Sequence, residues 1–246
     1  MTDDVRPIFV VGSPRSGTTL MRSILDAHPS IVCPPWETGI FVELASLLDR
    51  FEKTQAKHHF LTDDATIWQW VRQTVDELMA RVTGSCVKPR WAEKTPVHVL
   101  HMELIHRVYP RAQFVHIIRN GYEVVRSLQN MSWAPDYVRG NARIWVNYVR
   151  AGRAAAGKLP AGLYHELRYD ELVNEPERHL RQLCEFLGEP FASQMLDFDK
   201  PQNSSFGLAR EPISADVKRD YRELSRLQRW AFNQVAGGLM RELGYR

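Results

Sequence analysis

The 246-residue sequence predicts an α/β fold: a single domain spanning 1–246, built as a three-layer sandwich with a central parallel sheet and a P-loop-like turn after its first strand. Three observations carry this expectation. Apolar runs such as Ile8–Val11 and Phe114–Ile118 alternate with segments of helical periodicity. Runs that are apolar throughout suit strands covered on both faces. The first run ends in Gly12-Ser13-Pro14-Arg15-Ser16-Gly17-Thr18-Thr19, and a helical pattern of Leu20, Met21, Ile24 and Leu25 follows. Strand, glycine-bounded turn and helix is the layout that converges backbone N–H groups on an anion at a helix's positive end.

The remaining elements follow in order. Ile31–Pro35 reads as a second strand, and Gly39–Phe51 has helical spacing through Ile40, Phe41, Leu44, Leu47 and Leu48. Lys53–Phe60 is polar and reads as a surface loop, and its His58-His59 pair is too local to make a metal site alone. Asp63 or Asp64 caps a helix from Ala65 to Arg81, with Ile67, Val71, Val75 and Leu78 on one face and Gly84 at its end. Val87–Ala92 is the third strand, and a helix is expected over Val97–Val108. Phe114–Ile118 is the fourth strand, with a helix starting near Tyr122 and a long amphipathic one over Asp136–Gly157. Leu163–Leu167 is the fifth strand. Pro176 suits the first turn of a helix that Gly188 closes. Lys200–Pro212 is rich in Asn, Ser, Gly and Pro and reads as a mobile loop before a final helix over Ser225–Leu243.

Composition narrows the function. The net charge of +3 is mild and its basic residues are scattered, which fits a small anionic ligand and not a nucleic-acid surface. Cys33, Cys86 and Cys184 form no C-x-x-C and no zinc pattern, as expected of unpaired thiols in a reducing compartment. With no signal peptide and no apolar stretch of membrane-spanning length, a cytoplasmic protein without membrane partners is expected. A homodimer stays open.

Ligands of open parallel sheets bind beyond the carboxyl ends of the strands. Arg15 follows the first strand, Glu37 the second, Lys94 the third, Arg119 and then Ser127 the fourth, and Tyr169 the fifth. The set is odd for a nucleoside triphosphatase. Thr18 stands where the P-loop lysine belongs, and Arg119 stands where a magnesium-binding acid would end the fourth strand. An anion other than a metal-bound triphosphate fits better: a nucleotide with a second, separate phosphate, gripped by Arg119 and Ser127.

The residues Gly12 to Leu20 resemble the 5′-phosphosulfate loop of the sulfotransferases that use 3′-phosphoadenosine 5′-phosphosulfate (PAPS). Ile118-Arg119-Asn120-Gly121, with Ser127 eight residues past the arginine, resembles their 3′-phosphate strand and helix. Leu20–Pro29 with Glu37-Thr38 is similar to the protein-tyrosine branch. Glu93-Lys94-Thr95-Pro96, Arg168–Leu172 and Leu243-Gly244-Tyr245 resemble further blocks, all in the family's order. The resemblance implies a PAPS donor, the bisphosphate PAP as product, a hydroxyl-bearing acceptor and no metal. It implies Glu37 as general base, Lys94 as the cation assisting the leaving group, and Arg15 on the 5′-phosphate and the transferring group. Pro14, Ser16, Gly17, Thr18, Thr19, Arg119, Ser127, Tyr169 and Arg210 would complete the donor site.

The chain departs from the tyrosine branch. It has Pro35-Trp36-Glu37 where paired glutamates belong and Met131 where a further arginine is expected, it is shorter, and no secretory anchor is expected. The acceptor therefore stays open among peptide tyrosine, sugar, phenol and alkyl hydroxyls. Two other functions stay open at this stage: a small-molecule kinase with a degenerate P-loop, and a non-catalytic nucleotide-binding module. His28, His98, His101, His106 and His116 are read as structural before catalytic, and Trp36 and Trp91 as core or pocket lining.

Overall fold

In the computed structural model, which describes residues 6–53, 64–84, 88–196 and 223–245, β1 (Ile8–Gly12) is the middle strand of a five-stranded sheet. The others are β2 (Ile31–Val32), β3 (Arg90–Lys94), β4 (Gln113–Ile118) and β5 (Tyr164–Arg168). The order is β2-β3-β1-β4-β5 and every pairing is parallel. From β1 the chain goes out to the edge strand β2, returns inward to β3, then crosses β1 to add β4 and β5 on the other side. That reversal beside β1 opens a crevice at the carboxyl ends of the strands.

The helices in chain order are α1 (Thr18–Asp26), α2 (Ile40–Lys53), α3 (Asp64–Thr83), α4 (Met102–Val108), α5 (Gly121–Leu128), α6 (Val138–Ala156), α7 (Tyr169–Asn174), α8 (Pro176–Leu187) and α9 (Arg226–Glu242). Side chains alternate across the sheet with the strand period of two. Ile8 and Val10 pack with Met21, Ile24 and Leu25 of α1 and Leu180, Leu183 and Leu187 of α8. Phe9 and Val11 face the other way, among Phe41, Val71, Val75, Met79, Met102 and Ile105. A third cluster joins α5, α6 and α9 around Trp145 and Phe232. These layers are the expected three-layer α/β sandwich.

The helix termini show the chemistry that ends them. Gly188 closes α8 in the left-handed region at φ 74°. Ser225 and Gln228 form a reciprocal capping box at the start of α9.

Several boundaries differ from the sequence expectation. The second strand pairs only over Ile31–Val32, because two prolines follow at once. The third strand is Arg90–Lys94, so Glu93 and Lys94 are its last two residues and do not follow it. The expected helix over Val97–Val108 begins as a 3-10 helix, Pro96–His101, before α4. On α3 the fourth buried position is Met79, not the half-buried Leu78. The long helix begins at Val138. Most of the polar loop after Lys53, with His58-His59, and the whole 200–212 segment lie outside the described residues.

Candidate active site

The turn after β1 is built on two glycines that no other residue replaces without strain. Gly12 has φ 148° and Gly17 φ 103°. A Cβ on Gly12 would fall 2.5 Å from the carbonyl oxygen of Ile117, and one on Gly17 2.3 Å from Cδ2 of Tyr169. Arg15 is the only non-glycine with positive φ among the described residues, at 69°. The Oγ and backbone N–H of Ser16 both donate to the carbonyl of Ser13, at 2.7 and 3.2 Å, and close the turn. The first-turn N–H groups of α1 have no partners within the helix, and none of its first-turn residues is acidic. Thr18 is buried and Thr19 exposed at this helix start, and Pro14 contributes shape without an N–H. The turn thus has the shape and the free donors of an anion cradle.

The strand register brings the next group level with it. Gly12 pairs with Ile117, and Ile118 pairs with Arg168. Arg119 and Tyr169 therefore leave the sheet beside the turn. The Arg119 guanidinium lies over the Tyr169 ring, 4.3 Å from its centroid. Its Nε is buried and has no hydrogen-bond partner among the described residues, as an anion-binding arginine would show. The Trp145 indole N–H donates to the Arg119 carbonyl at 3.1 Å, and Asn120 caps α5 by accepting from Tyr122 N–H at 2.9 Å. Ser127, buried in the last turn of α5, accepts a 2.9 Å hydrogen bond from Nε of Arg15. One arginine thus ties the turn after β1 to the last turn of α5, two places that the sequence assigns to separate phosphates.

The third group lies at the exit of β3. Lys94 Nζ is 2.5 Å from Oε1 of Glu37. The lysine side chain is 5% exposed and the glutamate 42%, so the ion pair has a buried cationic end and an open carboxylate end. Lys94 pairs with Val10, two residues before Gly12, which puts the pair on the same rim as the cradle.

Beneath this pair lies a residue that the sequence reading passed over. Glu93 is buried and accepts from Thr38 N–H at 3.2 Å, from the Thr38 hydroxyl at 3.0 Å and from the Thr95 hydroxyl. His98 Nδ1 lies 2.9 Å from its second oxygen. Phe41 N–H donates to Nε2 of the same ring at 3.4 Å, which leaves the His98 proton on Nδ1. Burial pushes the Glu93 carboxyl up, but His98, Thr95 and Thr38 outweigh it and hold the group below its usual range. The only sequence signal was its place in the Glu-Lys-Thr-Pro block.

His28, His98 and His116 are buried and held by hydrogen bonds. His28 is buried, with Nε2 2.8 Å from the Pro190 carbonyl and Nδ1 accepting from Ser30 N–H. His116 lies under the sheet against Tyr164, 2.8 Å from its hydroxyl. Trp91 is core, edge-on to Phe9 at 5.6 Å, whereas Trp36 is half exposed beside Glu37. Cys33 and Cys184 are unpaired and buried, and burial pushes both thiols up, Cys184 to about 11. Arg210 and Cys86 lie outside the described residues. Among those residues no helix is long and apolar enough to cross a membrane.

A family model described as "Sulfotransferase family" matches residues 7–193, and the chain belongs to that family. It is 27% identical over 232 residues to a putative protein-tyrosine sulfotransferase of Caenorhabditis briggsae, covering 91% of this chain and 80% of that protein. It is 29% identical to an Aquifex aeolicus protein of which it spans only 27%, and it spans 58% of human protein-tyrosine sulfotransferase 1. Among solved structures, the sulfotransferase domain of the Synechococcus PCC 7002 olefin synthase superposes with a TM-score of 0.66 at 21% identity, over 96% of this chain and 94% of that one. Mouse sulfotransferase SULT7A1 complexed with PAP superposes with a TM-score of 0.51 at 15% identity, over 98% and 85%.

Proposed function

We propose that this chain transfers a sulfuryl group from PAPS to a hydroxyl acceptor by in-line displacement, with Glu37 as general base. The observation that carries the reading is the Glu37–Lys94 pair on the same rim as two anion positions linked through Arg15. Family membership and the PAP held by the mouse structure support the choice of donor.

On this reading the cradle N–H groups and Arg15 hold the 5′-phosphosulfate, and Arg119 and Ser127 hold the 3′-phosphate. The described residues supply orientation and charge in the manner of phosphoryl transfer. The open end of Glu37 takes the acceptor's proton as the new oxygen–sulfur bond forms. The bridging sulfur–oxygen bond breaks, and the electron pair goes to the departing 5′-phosphate. Lys94, now released from a neutralised Glu37, turns to that growing charge. Lys94, Arg15 and the loop amides provide the positive charge, with no metal in the scheme. Trp36, exposed beside Glu37, offers a flat apolar surface to the acceptor.

The test is transfer of radiolabelled sulfate from PAPS to a panel of tyrosine peptides, sugars, phenols and alkyl alcohols, with Glu37→Gln as control. Labelled product with wild type and its loss in the variant supports the reading. No transfer to any class counts against it.

A further inference from the structure

Glu123 and Arg126 lie on α5 between Arg119 and Ser127, and neither belongs to the donor site as described above. Glu123 Oε2 is 2.7 Å from a terminal guanidinium nitrogen of Arg126 and 3.6 Å from one of Arg119. One carboxylate oxygen is therefore shared between two guanidinium forks. Such forks match the oxygens of a phosphate as well as those of a carboxylate. Ser127 follows Arg126 directly and is tied to Arg15. Two guanidinium groups that meet at one carboxylate oxygen are equally placed to grip a phosphate monoester, whose charge is roughly −1.5 to −2.

We propose that Arg126 is a further ligand of the 3′-phosphate. Glu123 is the internal counter-ion that keeps Arg119 and Arg126 aimed at one point until the phosphate replaces it. Two guanidinium groups this close repel each other when unpaired, and the Glu123 side chain, 35% exposed, has open solvent to turn into. The inference rests on the bisphosphate reading of the site.

Calorimetric titration with adenosine 3′,5′-bisphosphate and adenosine 5′-monophosphate tests it, on wild type, Arg126→Gln, Glu123→Gln and the double variant. Loss of a charge-assisted contact should weaken the bisphosphate about tenfold or more in Arg126→Gln. The monophosphate should change by less than about twofold. Glu123→Gln should bind the bisphosphate as tightly as wild type or more tightly, since the competing anion is gone. The tenfold loss should persist when Arg126→Gln is added to Glu123→Gln. A loss that vanishes in the double variant would show that Arg126 only neutralises Glu123, and would overturn the proposal, as would equal losses for both nucleotides. A wild type that does not prefer the bisphosphate would instead overturn the donor reading itself. If Arg126→Gln does not fold, Arg126→Lys keeps the charge without the fork and should show a smaller, bisphosphate-selective loss. No selective loss there is equally fatal.

Discussion

The carboxylate of Glu93 holds Thr38 at two points, accepting from its backbone N–H at 3.2 Å and from its hydroxyl at 3.0 Å. Thr38 adjoins Glu37, and Glu93 itself adjoins Lys94, so one buried acid fixes the chain at both halves of the ion pair. Glu93→Gln keeps the shape and removes the charge that gathers these donors. Turnover should fall by about tenfold or more, because small displacements of reacting groups cost that much. The KM for PAPS should change little. Steady-state kinetics beside a melting curve separates this outcome from simple unfolding, and unchanged turnover would show that Glu93 does not position the pair.

Replacing Glu37 by glutamine should reduce turnover by about a hundredfold, the usual scale of general-base catalysis. Binding of the bisphosphate product should survive, since Glu37 is not among the groups assigned to its two phosphates. Lys94, 5% exposed, would then lose its carboxylate partner, so a modest drop in melting temperature is also expected. Near-normal turnover would remove Glu37 from the mechanism.

Gly17→Ala faces two obstacles at once: a left-handed backbone at φ 103° and the Tyr169 ring 2.3 Å from the new methyl. The backbone term alone costs on the order of 1–3 kcal/mol. Nucleotide binding should be lost or severely weakened, and pairing the change with Tyr169→Ala should restore it only in part, because the backbone strain stays. Full recovery of binding in the double variant would show that the ring contact was the whole obstacle.

His116 sets a pH limit on stability. Burial lowers its pKa from 6.5 to about 4, and its Nδ1 faces the Tyr164 hydroxyl, which donates to Glu166. The unfolded chain takes up a proton near 6.5, but the folded chain only near 4. Unfolding thus binds a proton between those values, and stability falls as pH drops through that window, by on the order of 3 kcal/mol. Melting temperatures recorded from pH 7 to 4 should fall less steeply for His116→Gln than for wild type. Parallel curves would mean that His116 does not titrate in this way.

What the sequence shows most plainly is whatever is local. β1, its turn and α1 follow one another without interruption, so apolar run, glycine spacing and helical period all point to the same unit. Arg119 and Ser127 are likewise only eight residues apart, at the start and end of one strand-to-helix connection. Contacts between distant segments leave no such trace. Glu93 and Thr38 are separated by 55 positions, and a glutamate followed by a lysine reads as the start of a loop. Their burial contradicts the usual rule that charges stay outside, which is why β3 was placed too early in the sequence. The Arg15–Ser127 contact, spanning 112 positions, is invisible for the same reason. Glu123 was legible only as a helical i,i+4 partner of Arg119, a pattern that ordinarily marks a solvated face.

The adjacency of β1 and β4 has a consequence for donor choice. The cradle grows from the end of one strand and Arg119 from the end of the next, paired through Gly12 and Ile117. On the proposed reading the two grips therefore rise from neighbouring strands, whose spacing is about 4.8 Å. On that reading a nucleotide whose phosphates are set farther apart or closer together engages one grip and misses the other.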